Sequence, residues 1–136
     1  MPKAEKRWVR VKTLSTVEKL DITAACERLI DETLRPRFLP EVCPTTFNYP
    51  IAIFGRWRGR QYSFVTRYRF GHADNLGEEF DAPFAGLDFL QESISDTRFA
   101  VMWHSHTGQW WRVRAAISFA EALNAIETDL VLHPAI

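Results

Sequence analysis

Between Asp21 and Leu34 the apolar residues Ile22, Ala25, Cys26, Leu29 and Ile30 recur at helical spacing, with Glu27, Arg28 and Asp31 on the opposite side. This spacing predicts an amphipathic helix. Ser15 with Glu18 matches a capping box, but Val17 and Leu20 fall off the stripe, so Asp21 is the expected cap and Pro36 the expected end. From Arg35 to Pro50 the prolines at 36, 40, 44 and 50 preclude regular helix and disfavour a paired strand. An extended connector is expected there, with Phe38, Leu39, Val42 and Phe47 wrapping the core.

The pattern then changes period. IAIFGRWRGRQYSFVTRYRF, residues 51–70, reads as two strands around a tight turn at Arg58, Gly59 and Arg60. A two-residue loop puts Ile51, Ile53 and Trp57 on one face with Tyr62, Phe64, Thr66 and Tyr68. The other face receives Phe54, Arg56 and Arg58 with Gln61, Ser63, Val65, Arg67 and Arg69. The first set is the expected core face and the second a largely solvated one. A third strand is expected in EEFDAPFAGLDFL, where the parity of Phe80 and Phe84 differs from that of Leu87 and Phe89, predicting a bulge at Gly86. Pro83 argues for an edge or a second irregularity.

RFAVMWHS and WWRVRAA make a fourth and fifth strand around Thr107 and Gly108, and SFAEALNAIE makes a closing helix with a capping box at Ser118 and Glu121. The expected fold is therefore α+β: an antiparallel meander of about five strands with an N-terminal and a C-terminal helix packed on one face. No βαβ alternation supports a parallel dinucleotide-binding sheet.

Composition narrows the function classes. A length of 136 residues, 46% hydrophobic, suits one domain over 1–136, with 1–14 as a flexible basic arm. Lys+Arg and Asp+Glu both number 17, so there is no global field of the kind that marks a generic nucleic-acid or membrane-surface binder. Lys3, Lys6, Arg7, Arg10 and Lys12 make the start basic, and Glu121, Glu127 and Asp129 make the end acidic, a pair of charges able to attract within or between chains. No signal-like or membrane-length apolar run is found, which predicts a cytoplasmic protein without membrane contact. Cys26 and Cys43 form no CxxC or zinc-type cluster and are expected as buried or partly buried reduced thiols.

Three groups of residues carry candidate chemistry. HSHTGQWW holds His104 and His106, which a strand would project to one side in the manner of metal ligands; a third ligand would have to come from His72, Asp74, Asp81 or Asp88. The competing reading is one packed and one exposed histidine, with no metal or other cofactor. With Thr107 and Gly108 as a two-residue turn, Trp103, Trp110, Arg112 and Arg114 share a face, Trp103 opposite Arg112. That face is a platform for a protein partner, an aromatic ligand or a base. Arg56, Arg58, Arg67 and Arg69 form a basic patch fit for phosphate, unless Glu79 and Asp81 on the next strand neutralise it.

The stretches FNYPIAIFGRWRGRQYSF, EFDAPFAGLDF, HTGQWW and SFAEALNAIE, taken together, resemble a family of small uncharacterised bacterial proteins, over most of residues 22–133. The resemblance implies a compact domain in a bacterial cytosol and supplies no activity, cofactor or catalytic residue. The leading expectation is a non-enzymatic binding or interaction module that self-associates through Trp103, Trp110, Arg112 and Arg114. The alternatives are a small metal-dependent hydrolase or nuclease on His104 and His106, and nucleic-acid binding through the arginine patch.

Overall fold

The computed structural model describes residues 13–93 and 96–136, and the side chains of residues 91–96 are left aside. The basic segment 1–12 lies outside the described residues. The first helix, α1 (Thr16–Leu29), begins five residues before the expected cap. Ser15 is the N-cap: its Oγ accepts from the Glu18 N–H at 3.1 Å, and Glu18 Oε1 accepts from the Ser15 N–H at 2.8 Å. This reciprocal box satisfies helix-end donors that nothing else would. It holds the first turn helical even though Val17 and Leu20 project into solvent there.

The far end also departs from expectation. A π-turn (Ile30–Leu34) follows α1 and leads into the single turn α2 (Arg35–Phe38), so the helix passes through Pro36. Within an α-helix the Pro36 ring would clash with the carbonyl four residues back. The wider turn, in which the Arg35 N–H reaches the Ile30 carbonyl, accommodates it. Leu39 is buried and Phe38 packs on the core, but Val42 and Phe47 are exposed and do not wrap it. Cys43 in this connector is exposed, whereas Cys26 is fully buried. Burial, aided by the Glu27 carboxylate, pushes the Cys26 thiol up to about 12, which keeps it protonated and inert.

Five antiparallel strands follow in sequence order: β1 (Asn48–Arg58), β2 (Gln61–Phe70), β3 (Glu79–Ser93), β4 (Asp96–His104) and β5 (Trp110–Ile117). The β1–β2 turn is the expected two-residue one, with Gly59 at φ 58°. Its register pairs Trp57 with Tyr62 and Ile53 with Thr66, so the expected parity holds from Ala52 to Arg58; at Ile51 a bulge interrupts it, and Pro50 instead of Ile51 falls in line with Tyr68. The last helix, α3 (Phe119–Thr128), starts at Ser118 with the expected capping box. Ile22, Cys26, Ile30 and Leu34 from the first helical segment and Ala122, Ala125 and Ile126 from α3 share one buried cluster with Ile53, Phe64, Leu87, Phe89, Phe99 and Val101. Both helices therefore cover the same sheet face, and the fold is an α+β meander. Among the described residues no helix is long and apolar enough to cross a membrane.

The bulge in β3 lies at Phe84, next to Pro83, and not at Gly86. Phe64 pairs with Ala85 and Val65 with Pro83, which leaves Phe84 as the extra residue. Gly86 stays in the regular ladder for another reason: a Cβ there would come within 3.0 Å of the Gln61 amide and 3.2 Å of the Trp110 ring. Although β3 is the central strand, its pairing with β4 begins only at Ala85 and Trp103. Residues Glu79–Pro83 pair with β2 alone, so Pro83 occupies a local edge within a central strand.

The capping geometry leads to a stability prediction. Ser15→Ala is expected to cost about 1 kcal/mol in urea unfolding. Asp21→Ala, at an exposed site inside the helix, should stay within about 0.5 kcal/mol of wild type; the reverse order of effects would return the cap to Asp21.

Candidate functional site

The hairpin that carries HSHTGQWW closes differently from expectation. The Ser105 N–H bonds the Gln109 carbonyl at 2.8 Å and the Gly108 N–H bonds the Ser105 carbonyl at 3.0 Å, with Gly108 at φ 88°. This is a three-residue loop, His106 to Gly108, ending in a left-handed glycine. One extra loop residue shifts the register, and each shift of one turns side chains to the other face. His104 now pairs with Trp110, Trp103 with Trp111, and Met102 with Arg112. A bulge at Val113 then places Arg114 opposite Val101.

Trp103, Trp110, Arg112 and Arg114 are thereby split. Trp103 lies on the helix-covered side, packed on the core, and Arg114 on that side pairs with Asp129 at 3.0 Å. Trp110 and Arg112 lie on the opposite side with Met102 and His104. The Trp110 ring takes the His104 imidazole edge-on, centroids 4.7 Å apart, and covers Gly86. Trp103 does not stand opposite Arg112.

The outer sheet face is less solvated than its polar residues suggest. Ser63 and Val65 on it are fully buried under their neighbours. The Arg67 guanidinium lies 4.7 Å from the centre of the Phe54 ring. Asp81 holds Arg67 at 2.8 Å and Arg56 at 3.3 Å, and Glu79 holds Arg69 at 2.8 Å. Of the expected basic patch, Arg56, Arg67 and Arg69 are thus paired with the two carboxylates on the neighbouring strand, while Arg58 stands exposed beside the turn. The hydrogen bond from Arg67 holds the Asp81 carboxyl below the usual carboxylate range.

A cleft of about 420 Å³ opens where β4 parts from β3. It is more enclosed than the depressions along α3. Thr66 and Tyr68 from β2, Ala82 to Phe84 from the β3 bulge, Trp103 to His106 from the hairpin, and His133 and Ala135 from the C-terminal segment line it. Asp129 organises that segment by accepting from the Val131 N–H, which starts a short 3-10 turn (Leu130–Leu132) and buries Leu132. The chain then crosses to β2, where the Tyr68 hydroxyl donates to the Ala135 carbonyl at 3.4 Å.

Polar groups in the cleft differ in how far they are satisfied. The Ser105 and Thr107 hydroxyls lie 2.7 Å apart and bond each other. His133 places Nε2 2.9 Å from the Glu127 carbonyl oxygen and its ring against Phe38. Thr66 is different: it is 2% exposed, and its Oγ1 has no hydrogen-bond partner among the described residues. An orphaned hydroxyl at such a site costs about 1–3 kcal/mol relative to a satisfied one.

His104 and His106 both border this cleft, but His104 ends β4 and His106 belongs to the loop, so they do not project from one strand. None of His72, Asp74, Asp81 and Asp88 lines it. Among the described residues no group of three or more His, Cys, Asp or Glu side chains is placed to hold a metal ion. Sequence reasoning did not single out Thr66, Tyr68, Phe84 or His133. One signal was available, a threonine in the otherwise aromatic stripe Tyr62, Phe64, Thr66, Tyr68; nothing in the sequence brings His133 to β2.

The two-armed Asp81 contact leads to a pH prediction. Asp81→Asn should cost about 1 kcal/mol at neutral pH, a value discounted for partial exposure. The folded state binds the Asp81 proton less tightly than the unfolded state, so this stability is present above the ordinary aspartate range. It is lost as pH falls through the depressed value. Wild type and variant should therefore converge in acidic urea titrations, and a constant difference would remove the ion pair as the cause.

A family model described as a domain of unknown function, DUF3024, matches residues 11–131. No curated protein and no solved structure matches the chain.

Proposed function

The chain belongs to the DUF3024 family, and we propose that it is a non-enzymatic binding module that takes a small molecule into the cleft between the β4–β5 hairpin and the C-terminal segment. The observation that carries this reading is the cleft itself, about 420 Å³, with aromatic walls from Tyr68, Phe84 and Trp103 and polar groups from Ser105 and His133. Ligand sites combine apolar walls with a few converging polar groups. The reading moves the site away from the outer sheet face, where arginines and aromatic rings already cover one another. A bacterial cytoplasmic setting fits the two unpaired thiols, one of them exposed.

A second reading, self-association, is favoured by a separate observation. Trp111 is 53% exposed on the edge strand β5, and Leu130 is 79% exposed next to the Arg114–Asp129 pair on the same side of the sheet. Large apolar side chains left exposed are a feature of contact surfaces, and a second copy of the chain is the partner this reading names.

Two measurements test these readings. A fragment set of carboxylates, amines, neutral aromatics and neutral aliphatics, titrated into ¹⁵N-labelled protein, should give saturable shifts at the Thr66, Ala82, Trp103 and Ser105 amides. Ala82→Phe, which fills the cleft, should remove them; shifts that avoid these amides would overturn the site. Light scattering should give a mass above the 15.8 kDa of one chain, falling to that value in Trp111→Ser. A wild-type monomer would end the self-association reading.

A further inference from the structure

The ionisable groups of the cleft lining select among small molecules. We propose that the ligand is an aromatic carboxylate of one or two rings, its ring against Tyr68, Phe84 and Trp103 and its carboxylate between His106 and His133. This inference rests on the reading of the cleft as the binding site, and it adds the class of ligand.

Three of the chain's four histidines, His104, His106 and His133, line the cleft, and no Asp or Glu does. The fourth, His72, lies outside it and has Asp74 as an acidic neighbour at 3.7 Å. Imidazole gains or loses its proton near neutral pH. Tyr68 is the lining's acidic hydroxyl, and burial raises it above the ordinary tyrosine range, so it stays neutral. The lining can therefore become positive but not negative. A carboxylate that leaves water there gains a charge-assisted hydrogen bond from an imidazolium, whereas an ammonium gains none and is repelled.

The histidines differ in what their rings already do. His104 sets its ring edge-on to Trp110 at 4.7 Å. His106 and His133 border the cleft from the hairpin loop and from the C-terminal segment. His133 is fixed by Nε2, 2.9 Å from the Glu127 carbonyl oxygen, and by its ring on Phe38 at 4.8 Å. A carbonyl only accepts, so Nε2 donates, and Nδ1 is the nitrogen left for a ligand; protonation turns it into a donor. Arg37 on α2 donates to the same Glu127 carbonyl at 3.2 Å, while Glu127 and Asp129 do not line the cleft and Asp129 is held by Arg114 at 3.0 Å. With Arg37 and His104 nearby, protonation is opposed in the empty cleft and favoured by a bound carboxylate, so binding takes up a proton from solvent. Affinity then rises as pH falls through the histidine range.

The walls and the donor set narrow the class. Tyr68 is stacked on Phe80, centroids 5.2 Å apart, and Phe84 is held by Phe64 at 6.3 Å. Fixed aromatic walls favour a flat ring over a flexible aliphatic chain. A volume of about 420 Å³ suits one or two rings rather than a large cofactor. Phosphate sites draw on Arg, Lys or nests of backbone N–H groups, and no Arg or Lys lines this cleft; a singly charged carboxylate fits a pair of imidazoles.

Four one-ring probes separate the possibilities: benzoate, benzamide, benzylammonium and phenyl phosphate, each titrated by NMR at about pH 6 and about pH 8. Benzoate should bind wild type about tenfold more tightly than benzamide at about pH 6 and less than about threefold more tightly at about pH 8. The double variant His106→Gln, His133→Gln should lose this preference while benzamide changes less than about twofold, and His72→Gln should keep it. His106→Gln alone, at an exposed loop position, should reduce the preference about threefold, which keeps the test independent of the packing of His133. Tighter binding of benzamide or benzylammonium would overturn the anionic class and leave the cleft as a site, and tighter binding of phenyl phosphate would overturn the carboxylate. A benzoate preference that ignores pH, that survives the histidine changes or that His72→Gln removes would overturn the role of His106 and His133. Binding of none of the four would overturn this inference, and it would overturn the site as well if the broader fragment set also left the Thr66, Ala82, Trp103 and Ser105 amides unmoved.

Discussion

Pro83 cannot donate a backbone hydrogen bond, yet it sits in the central strand of a five-stranded sheet. The sheet resolves this by giving up pairing. β3 bulges at Phe84, and β4 runs beside it only from Ala85 onward. On one side of the proline the ladder is continuous across five strands; on the other, β3 has only β2. Both consequences matter for the site. The bulge keeps Phe84 and Ala85 together on the core side, and the parting of β4 opens the space into which the C-terminal segment folds.

That segment completes what the sheet leaves open. Asp129 begins the 3-10 turn, pairs with Arg114 on β5, and directs Leu132 into the core. From there His133 and Ala135 reach β2 across the gap. The cleft is therefore a joint product of strands distant in sequence and of the chain's end. Its polar group, Thr66, takes the place on β2 that a fully packed core would give to valine.

Elsewhere the sheet is finished by its own side chains. The Asp81 carboxylate bridges Arg67 and Arg56, Arg67 covers Phe54, and Trp110 and Gln61 fill the space over Gly86. The outer face achieves with a single layer of long side chains what a third layer of structure would otherwise supply. Arg56, Arg67 and Arg69 accordingly serve neighbours within the chain.

Much of this architecture is legible along the chain. Alternation in residues 52–70 assigned both faces of the first hairpin, because a two-residue turn fixes parity and parity is a local property. SFAE at residues 118–121 announced its helix through side chains that bond the backbone three residues away. The charge pairing of Arg67 with Asp81 and Arg69 with Glu79 was readable as strand neighbours. Three features were not. The cap at Ser15 lost to an apolar stripe whose first turn is solvent-exposed, and the β4–β5 register turned on one loop residue, because Thr107–Gly108 suits a two-residue turn as well as the three-residue loop that forms. The cleft was invisible, since local patterns place Thr66 on a core face but carry no information about a sheet that opens beside it. Sequence determined the elements, their order and which residues of a strand face alike, all set by interactions within a few residues. Pro83 marked an irregularity in β3 within the sequence, but tertiary structure alone decided what the C-terminal segment covers, because that depends on contacts more than 60 residues apart, such as Tyr68 with Ala135.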